Sequence, residues 1–296
     1  MPSIRLAAAA FKMGAVNSFD DFGDHVSRLV DQAAAHNPDF LVFPEMFTME
    51  IMNSFSEEDF LLKLSCLARQ TGDYVALFRQ LAREKGFHIV AGSHLVEDEG
   101  KFYNVSHLFA PDGQVLVQRK CHLFPMETLY TAPGDRLHVF PTEKAKIAIL
   151  TCYDLEFPEA ARLVTLNGAE VIFSPSATLD EQGYWRVRHS GQARCIEDQV
   201  YVVHCGLIGE AAGLNFWGMA SILTPCEPGF PIKGVAAESP VNEEAVIVAD
   251  VDTDRLHEIR AKGAATTLKD RRWDVINALY QLECSSAAGA KARTGQ

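Results

Sequence analysis

Short apolar runs that stop abruptly at a polar residue or proline, many followed by helical spacing, are the feature that most constrains this fold. Phe40-Leu-Val-Phe43 halts at Pro44-Glu45, Val115-Leu-Val117 runs on to Arg119-Lys120, and Ile147-Ala-Ile-Leu150 leads into Thr151-Cys152. Alternation of buried-strand runs with amphipathic stretches predicts an α/β protein whose sheets are covered by helices. Apolar residues at Phe22, Val26, Leu29, Val30 and Ala33 predict a helix over 19–36, after an opening strand over 4–11. Further helices are expected over 57–69, 73–85, 158–166, 184–197 and 253–260. Strands are expected at 39–44, 88–93, 147–150, 171–173, 200–204, 219–223 and 245–251. Residues 101–110 and 115–119 pair as a hairpin across Pro111-Asp112-Gly113, so the sheets are mixed. With 296 residues and no polar linker, residues 1–283 are expected to form one domain. The small polar residues 284–296 read as a flexible tail.

Composition removes several function classes. A net charge of -12 argues against nucleic acid, because phosphate binding needs a basic face. No apolar run is long enough to span a bilayer, and Met1-Pro-Ser-Ile-Arg-Leu reads as an opening strand, not a secretory signal. The seven cysteines are odd in number, widely spaced and free of C-x-x-C pairs, which points to free thiols in the cytoplasm. Histidines show neither H-E-x-x-H nor a finger spacing, so no metal site is expected. G-x-G-x-x-G, the P-loop pattern and G-x-S-x-G are absent, which disfavours dinucleotide, nucleotide and serine-hydrolase readings.

Three polar residues then stand at the ends of three strand-like runs: Glu45, Lys120 and Cys152. Taken singly, each has an ordinary reading. Cys152 is a small buried hydrophobe, Glu45 a helix-starting acid and Lys120 a solvated charge at a hairpin end. Together they carry more, because sites in open α/β folds gather at the carboxyl ends of strands. Phe157-Pro158-Glu159 marks a helix start just beyond Cys152, where backbone N–H groups are expected to lower the thiol pKa.

Phe43-Pro44-Glu45, Arg119-Lys120-Cys-His-Leu-Phe124 and Cys152-Tyr-Asp-Leu-Glu-Phe-Pro-Glu159 resemble the three signature blocks of the nitrilase superfamily, the carbon–nitrogen hydrolases. Glu127-Thr-Leu-Tyr-Thr-Ala-Pro-Gly-Asp135 resembles the segment carrying that family's second glutamate. The likeness runs from Ala8 to about Ile259. It implies a four-layer αββα sandwich with mixed sheets, forming homodimers that can extend further. It also implies cleavage of non-peptide C–N bonds without metal or organic cofactor. On this reading Cys152 is the nucleophile, Glu45 the proton shuttle and Lys120 the oxyanion donor, with the backbone N–H of Tyr153 assisting. Glu127 positions the substrate amide or the attacking water.

For the substrate, the Cys-Tyr-Asp block is closer to amidase branches than to nitrilases, which implies a small carboxamide. Those amidases tend to carry arginine where Glu156 stands, and an acid there argues against an anionic substrate. Glu156, Tyr184 and Trp185 are the expected substrate contacts, although Trp185, Phe216 and Trp217 suit an aromatic core equally. An N-carbamoyl amine or amino acid is the second reading, a nitrile the third, and a non-catalytic interaction module the alternative of another class. Asp154 is expected to brace the nucleophile turn through local hydrogen bonds. Arg194 and Glu197 are expected to form a helical ion pair, and His204 and Cys205 to pack in the core.

Overall fold

The computed structural model describes residues 3–278, so the expected tail lies outside the described residues. The opening strand, Ser3–Lys12, apolar at Ile4 and from Leu6 to Phe11, takes an inner position in the first sheet. It pairs in parallel with Phe40–Val42 and antiparallel with Ala245–Asp252. Phe40–Val42 continues in parallel to His88–Val90, which meets Lys101–Phe109 antiparallel. Lys101–Phe109 forms the expected hairpin with Val115–Arg119. The second sheet orders Val139–Pro141, Lys146–Ile149, Val171–Ser176, Tyr201–Ala211, Ala220–Leu223 and Val235–Glu238. The two sheets meet where Phe11 pairs with Leu207 and Lys12 with Ile208.

Side-chain alternation along these strands builds three cores. Ile4, Leu6, Ala8 and Val42 of the first sheet face Ile149, Phe173, Val203 and Cys205 of the second. The opposite face of the first sheet packs on the helices Phe19–Ala34, Phe60–Arg69 and Thr71–Lys85 through Phe22, Leu29, Leu67 and Phe78. The outer face of the second sheet packs on Pro158–Leu166 and Glu181–Glu197 through Val164, Val187 and Cys195. Helix, sheet, sheet, helix is the four-layer order, with both sheets mixed.

Helix starts follow their capping residues. Ser18 accepts a bond from Asp21 N, Asp59 from Leu62 N, and Asp180 from Gly183 N. Pro158 opens its helix as the sequence predicts. Four short strands escape the sequence reading: His94–Asp98, Val139–Pro141, Leu214–Phe216 and Val235–Glu238. Each spans only three to five residues, too short for a period-2 pattern to stand out. More important for the site, Glu45 is followed by a buried 3-10 segment, Phe47–Ser54, and Cys152 opens another, Cys152–Glu156.

Candidate active site

Glu45 leaves the strand Phe40–Val42 three residues beyond its end and is only 3% exposed. Two contacts fix the turn there. Met46 adopts a left-handed φ of 51° and donates its N–H to Ser93 Oγ at 3.0 Å. Gly92, with φ +54°, lies so close that a Cβ would stand 1.9 Å from the carbonyl oxygen of Pro44. No other residue fits at that approach.

Lys120 continues the hairpin ladder one residue past Arg119, its N–H donating to Asn104 O at 2.9 Å. Its ammonium is buried between two carboxylates: Nζ donates to Glu45 Oε1 at 2.7 Å and to Glu127 Oε2 at 2.5 Å. Asn104, from the middle of the hairpin strand, bridges the same pair, Nδ2 donating to Glu45 Oε1 and to Glu127 Oε1 at 2.9 Å each. Phe124 N–H donates to Glu127 Oε2 at 2.9 Å, so both oxygens of Glu127 are held. Among the described residues, Glu45 Oε2 receives only the Ala177 N–H, at 2.9 Å, just past Val171–Ser176. It is the less encumbered of the two Glu45 oxygens, since Oε1 takes both Lys120 and Asn104.

Cys152 sits at a left-handed φ of 49°, a conformation that costs a non-glycine residue about 1–3 kcal/mol and is held by its surroundings. The turn is held from two sides. Asp154, fully buried, accepts from His122 N–H at 2.7 Å, His122 Nδ1 at 2.8 Å and, more weakly, Cys121 N–H at 3.4 Å. The expected local bracing by Asp154 is therefore a long-range tie, joining the cysteine turn to the residues that follow Lys120. On the other side, Arg194 donates to the carbonyls of Leu155 and Glu156 at 3.2 and 3.1 Å, while pairing with Glu197 at 2.7 Å.

The electrostatics correct one expectation. The Cys152 thiol is raised well above its ordinary pKa, not lowered. Burial is the first cause and the Glu45 carboxylate the second; Lys120 and the Ala177 backbone pull the other way. A five-residue 3-10 turn offers little dipole, and the α-helix begins only at Pro158. The thiol is thus neutral at rest, in the same cavity as the Glu45 carboxylate that raises it. Burial likewise raises Glu45, opposed by Lys120 and reinforced by Glu127, which makes its carboxylate a stronger base. Burial alone would discharge Lys120, but Glu45 and Glu127 outweigh it and hold the ammonium charged. Two of its three N–H donors are committed to these acids.

Glu45, Lys120, Glu127 and Cys152 line one cavity of about 160 Å³, together with Tyr153 and Glu156. Its walls are apolar, with Met49, Phe60, Leu64, Tyr130 and Phe216 among them. Tyr184 and Trp185 do not line it. The Glu181–Glu197 helix buries Tyr184, Val187, Arg188, Gly191, Arg194 and Cys195 against the sheet. Tyr184 therefore lies in the core against His204 and Trp217. Trp185 packs on His189 and donates Nε1 to Glu181 at 3.2 Å. Arg186, which sequence reasoning passed over, is the helix's cationic contribution to the cavity. Asn104 was also passed over as a site residue. His204 and Cys205 are wholly buried, as expected. Among the described residues, no group of three or more His, Cys, Asp or Glu side chains is arranged to hold a metal ion. Nor, among them, is any helix long and apolar enough to cross a membrane.

Comparison with known proteins identifies relatives of this chain. The Carbon-nitrogen hydrolase family profile matches residues 6–261. A Bacillus subtilis protein described as "Probable hydrolase YhcX" is 38% identical over 94% of this chain, which spans 55% of that relative's length. Omega-amidase NIT2-B of Xenopus laevis is 30% identical, covering 88% of this chain and 92% of its own. The crystal structure of Saccharomyces cerevisiae Nit3, a branch 10 member of the nitrilase superfamily, superposes with a TM-score of 0.76 at 25% identity, over 92% of this chain and 97% of that one. The chain belongs to the carbon–nitrogen hydrolase family, within the nitrilase superfamily.

Proposed function

We propose that this chain is a cysteine-dependent amidase that hydrolyses a small carboxamide and releases ammonia through a thioester. The observation that carries the reading is the convergence of a neutral thiol, a raised carboxylate and a charged ammonium on one buried cavity. Amide cleavage needs a nucleophile, a proton shuttle and a charge to meet the developing oxyanion. Cys152 Sγ attacks the carbonyl carbon while its proton passes to Glu45 Oε2. The third N–H of Lys120 and the backbone N–H of Tyr153 meet the oxyanion. A preorganised donor of this type is worth about 2.7–4 kcal/mol of barrier. Glu45 then gives its proton to the departing nitrogen, leaving ammonia and a Cys152 thioester. A water molecule, deprotonated by Glu45, cleaves the thioester to the carboxylic acid and restores the thiol. Glu127, held by three donors, orients Lys120 and Asn104 and does not exchange protons itself.

The cavity supports a small acyl group, since about 150 Å³ is the volume that accommodates a benzene molecule. Omega-amidase names recur among the relatives, against one of similar identity named nitrilase, which supports an amide ahead of a nitrile. The test is ammonia release over a panel of aliphatic amides, N-carbamoyl compounds and nitriles, with Cys152→Ala as control. Ammonia from amides, lost in the control, is the expected result. Release of carbon dioxide would replace this reading with a carbamoylase, and turnover surviving in Cys152→Ala would refute it.

A further inference from the structure

Three charged residues of the cavity, Glu156, Asp180 and Arg186, take no part in the chemistry above. Glu156 ends the same 3-10 segment that Cys152 opens, and its carbonyl is pinned by Arg194, so its distance from the sulfur is set. Arg186 reaches the cavity from the Glu181–Glu197 helix and donates Nε to Glu156 Oε2 at 2.7 Å. That contact uses one N–H of the guanidinium and one oxygen of the carboxylate. Among the described residues, no other side chain bonds to the terminal NH2 groups of Arg186 or to Glu156 Oε1. The side chain of Glu156 is 13% exposed and that of Arg186 50%, which places the pair at the mouth, with the carboxylate inward.

The remaining cations and acids of the cavity offer no such pairing of opposite charges with spare capacity. Lys120 lies between Glu45 and Glu127, and Asp180 caps its helix by accepting from Gly183 N–H at 2.6 Å. Among the described cavity residues, a spare carboxylate oxygen and spare guanidinium N–H groups lie side by side at Glu156 and Arg186. We propose that this pair selects a zwitterionic substrate end, an ammonium received by Glu156 Oε1 beside a carboxylate received by the NH2 groups of Arg186, as an amino-acid head group presents. The inference rests on the amidase reading and names its substrate class: the side-chain amide of an amino acid.

Single charges fit less well. Glu45, Glu127, Glu156 and Asp180 against Lys120 and Arg186 are four acids to two bases, a formal surplus of two negative charges around the cavity. A lone substrate carboxylate adds to that surplus and meets Glu156 as it approaches Arg186. A lone ammonium competes with Arg186 for Glu156. A zwitterion satisfies both partners without breaking their contact. The acid at position 156 thus does not stand alone against an anionic substrate, as the sequence implies, but works with a cation thirty residues away.

Four primary amides of matched length isolate the two charges: butanamide, 4-aminobutanamide, glutaramate and glutamine in either enantiomer. One enantiomer of glutamine is expected to show the highest kcat/KM, exceeding both singly charged amides by about tenfold, the worth of a charge-assisted hydrogen bond. Glu156→Gln and Arg186→Gln should each lower the glutamine-to-butanamide ratio through KM, and Glu156→Gln should raise glutaramate relative to butanamide. Glutaramate or butanamide matching glutamine, or a ratio unmoved by either substitution, overturns the inference while leaving the amidase reading intact. Ammonia from none of the four above the Cys152→Ala background overturns both.

Discussion

Removing the Asn104 amide should both destabilise the fold and misplace the base. In Asn104→Ala, Glu45 Oε1 and Glu127 Oε1 each lose a donor at 2.9 Å inside a buried cluster. Two charge-assisted bonds are worth about 3–6 kcal/mol together. Against this, the substitution also deletes Asn104 Oδ1, a buried acceptor with no partner, which relieves about 1–3 kcal/mol. The net expectation, from the midpoints of these ranges, is a loss of about 2–3 kcal/mol of stability. The kinetic consequence has a defined direction. Glu45 is already raised above an ordinary carboxylate by burial, and losing a donor raises it further. Since Glu45 must be ionised to take the thiol proton, turnover should rise with pH through a higher midpoint in the variant than in the parent. Denaturant unfolding reads the first effect, and the acid limb of kcat/KM for ammonia release reads the second. An unfolding midpoint and acid limb that both coincide with those of the parent would refute the claim that Asn104 holds the two acids.

Two further expectations follow from other parts of the molecule. Gly92→Ala forces a Cβ to within 1.9 Å of Pro44 O at a φ of +54°, so the strand end carrying Glu45 must shift; reduced stability and at least tenfold slower turnover are expected, about the cost of a misplaced catalytic group, and an active, normally stable variant contradicts this. His25 is raised from 6.5 to about 9, where burial, which lowers it, is outweighed by bonds to Glu244 and Glu50. A raised histidine contributes stability that is complete below pH 6.5 and lost as pH climbs through about 9. Unfolding free energy should therefore decline between pH 7 and 10 in the parent and less in His25→Gln, and identical slopes would contradict the assignment.

What could be seen in the sequence, and what could not, divides along physical lines. The three strand ends were legible because each is a local event: an apolar run, then Pro44-Glu45, Arg119-Lys120 or Thr151-Cys152. Pro158 and the hairpin at Pro111-Asp-Gly113 were legible for the same reason. Asn104 was not, since it sits in an ordinary alternating strand and its partners lie 59 and 23 residues away. The choice of Tyr184 and Trp185 over Arg186 failed on helix phase. The buried stripe at 184, 187, 188, 191, 194 and 195 turns Tyr184 into the sheet, and applying that spacing to the sequence would have found it. The thiol's direction of shift failed because a local helix-start argument leaves out burial and the Glu45 charge, both of which come from distant chain.

The central claim is that Glu45 draws the proton from a neutral Cys152 so that the sulfur takes up the acyl group. Acid quenching during turnover, with the best amide from the ammonia screen, followed by peptide mass measurement, tests it most directly. An acyl increment on the Cys152 peptide is predicted, absent in Cys152→Ala and formed at least ~100-fold more slowly in a folded Glu45→Gln protein. Ammonia release without any adduct in Cys152→Ala, or adduct formation at the parent rate in Glu45→Gln, would contradict it.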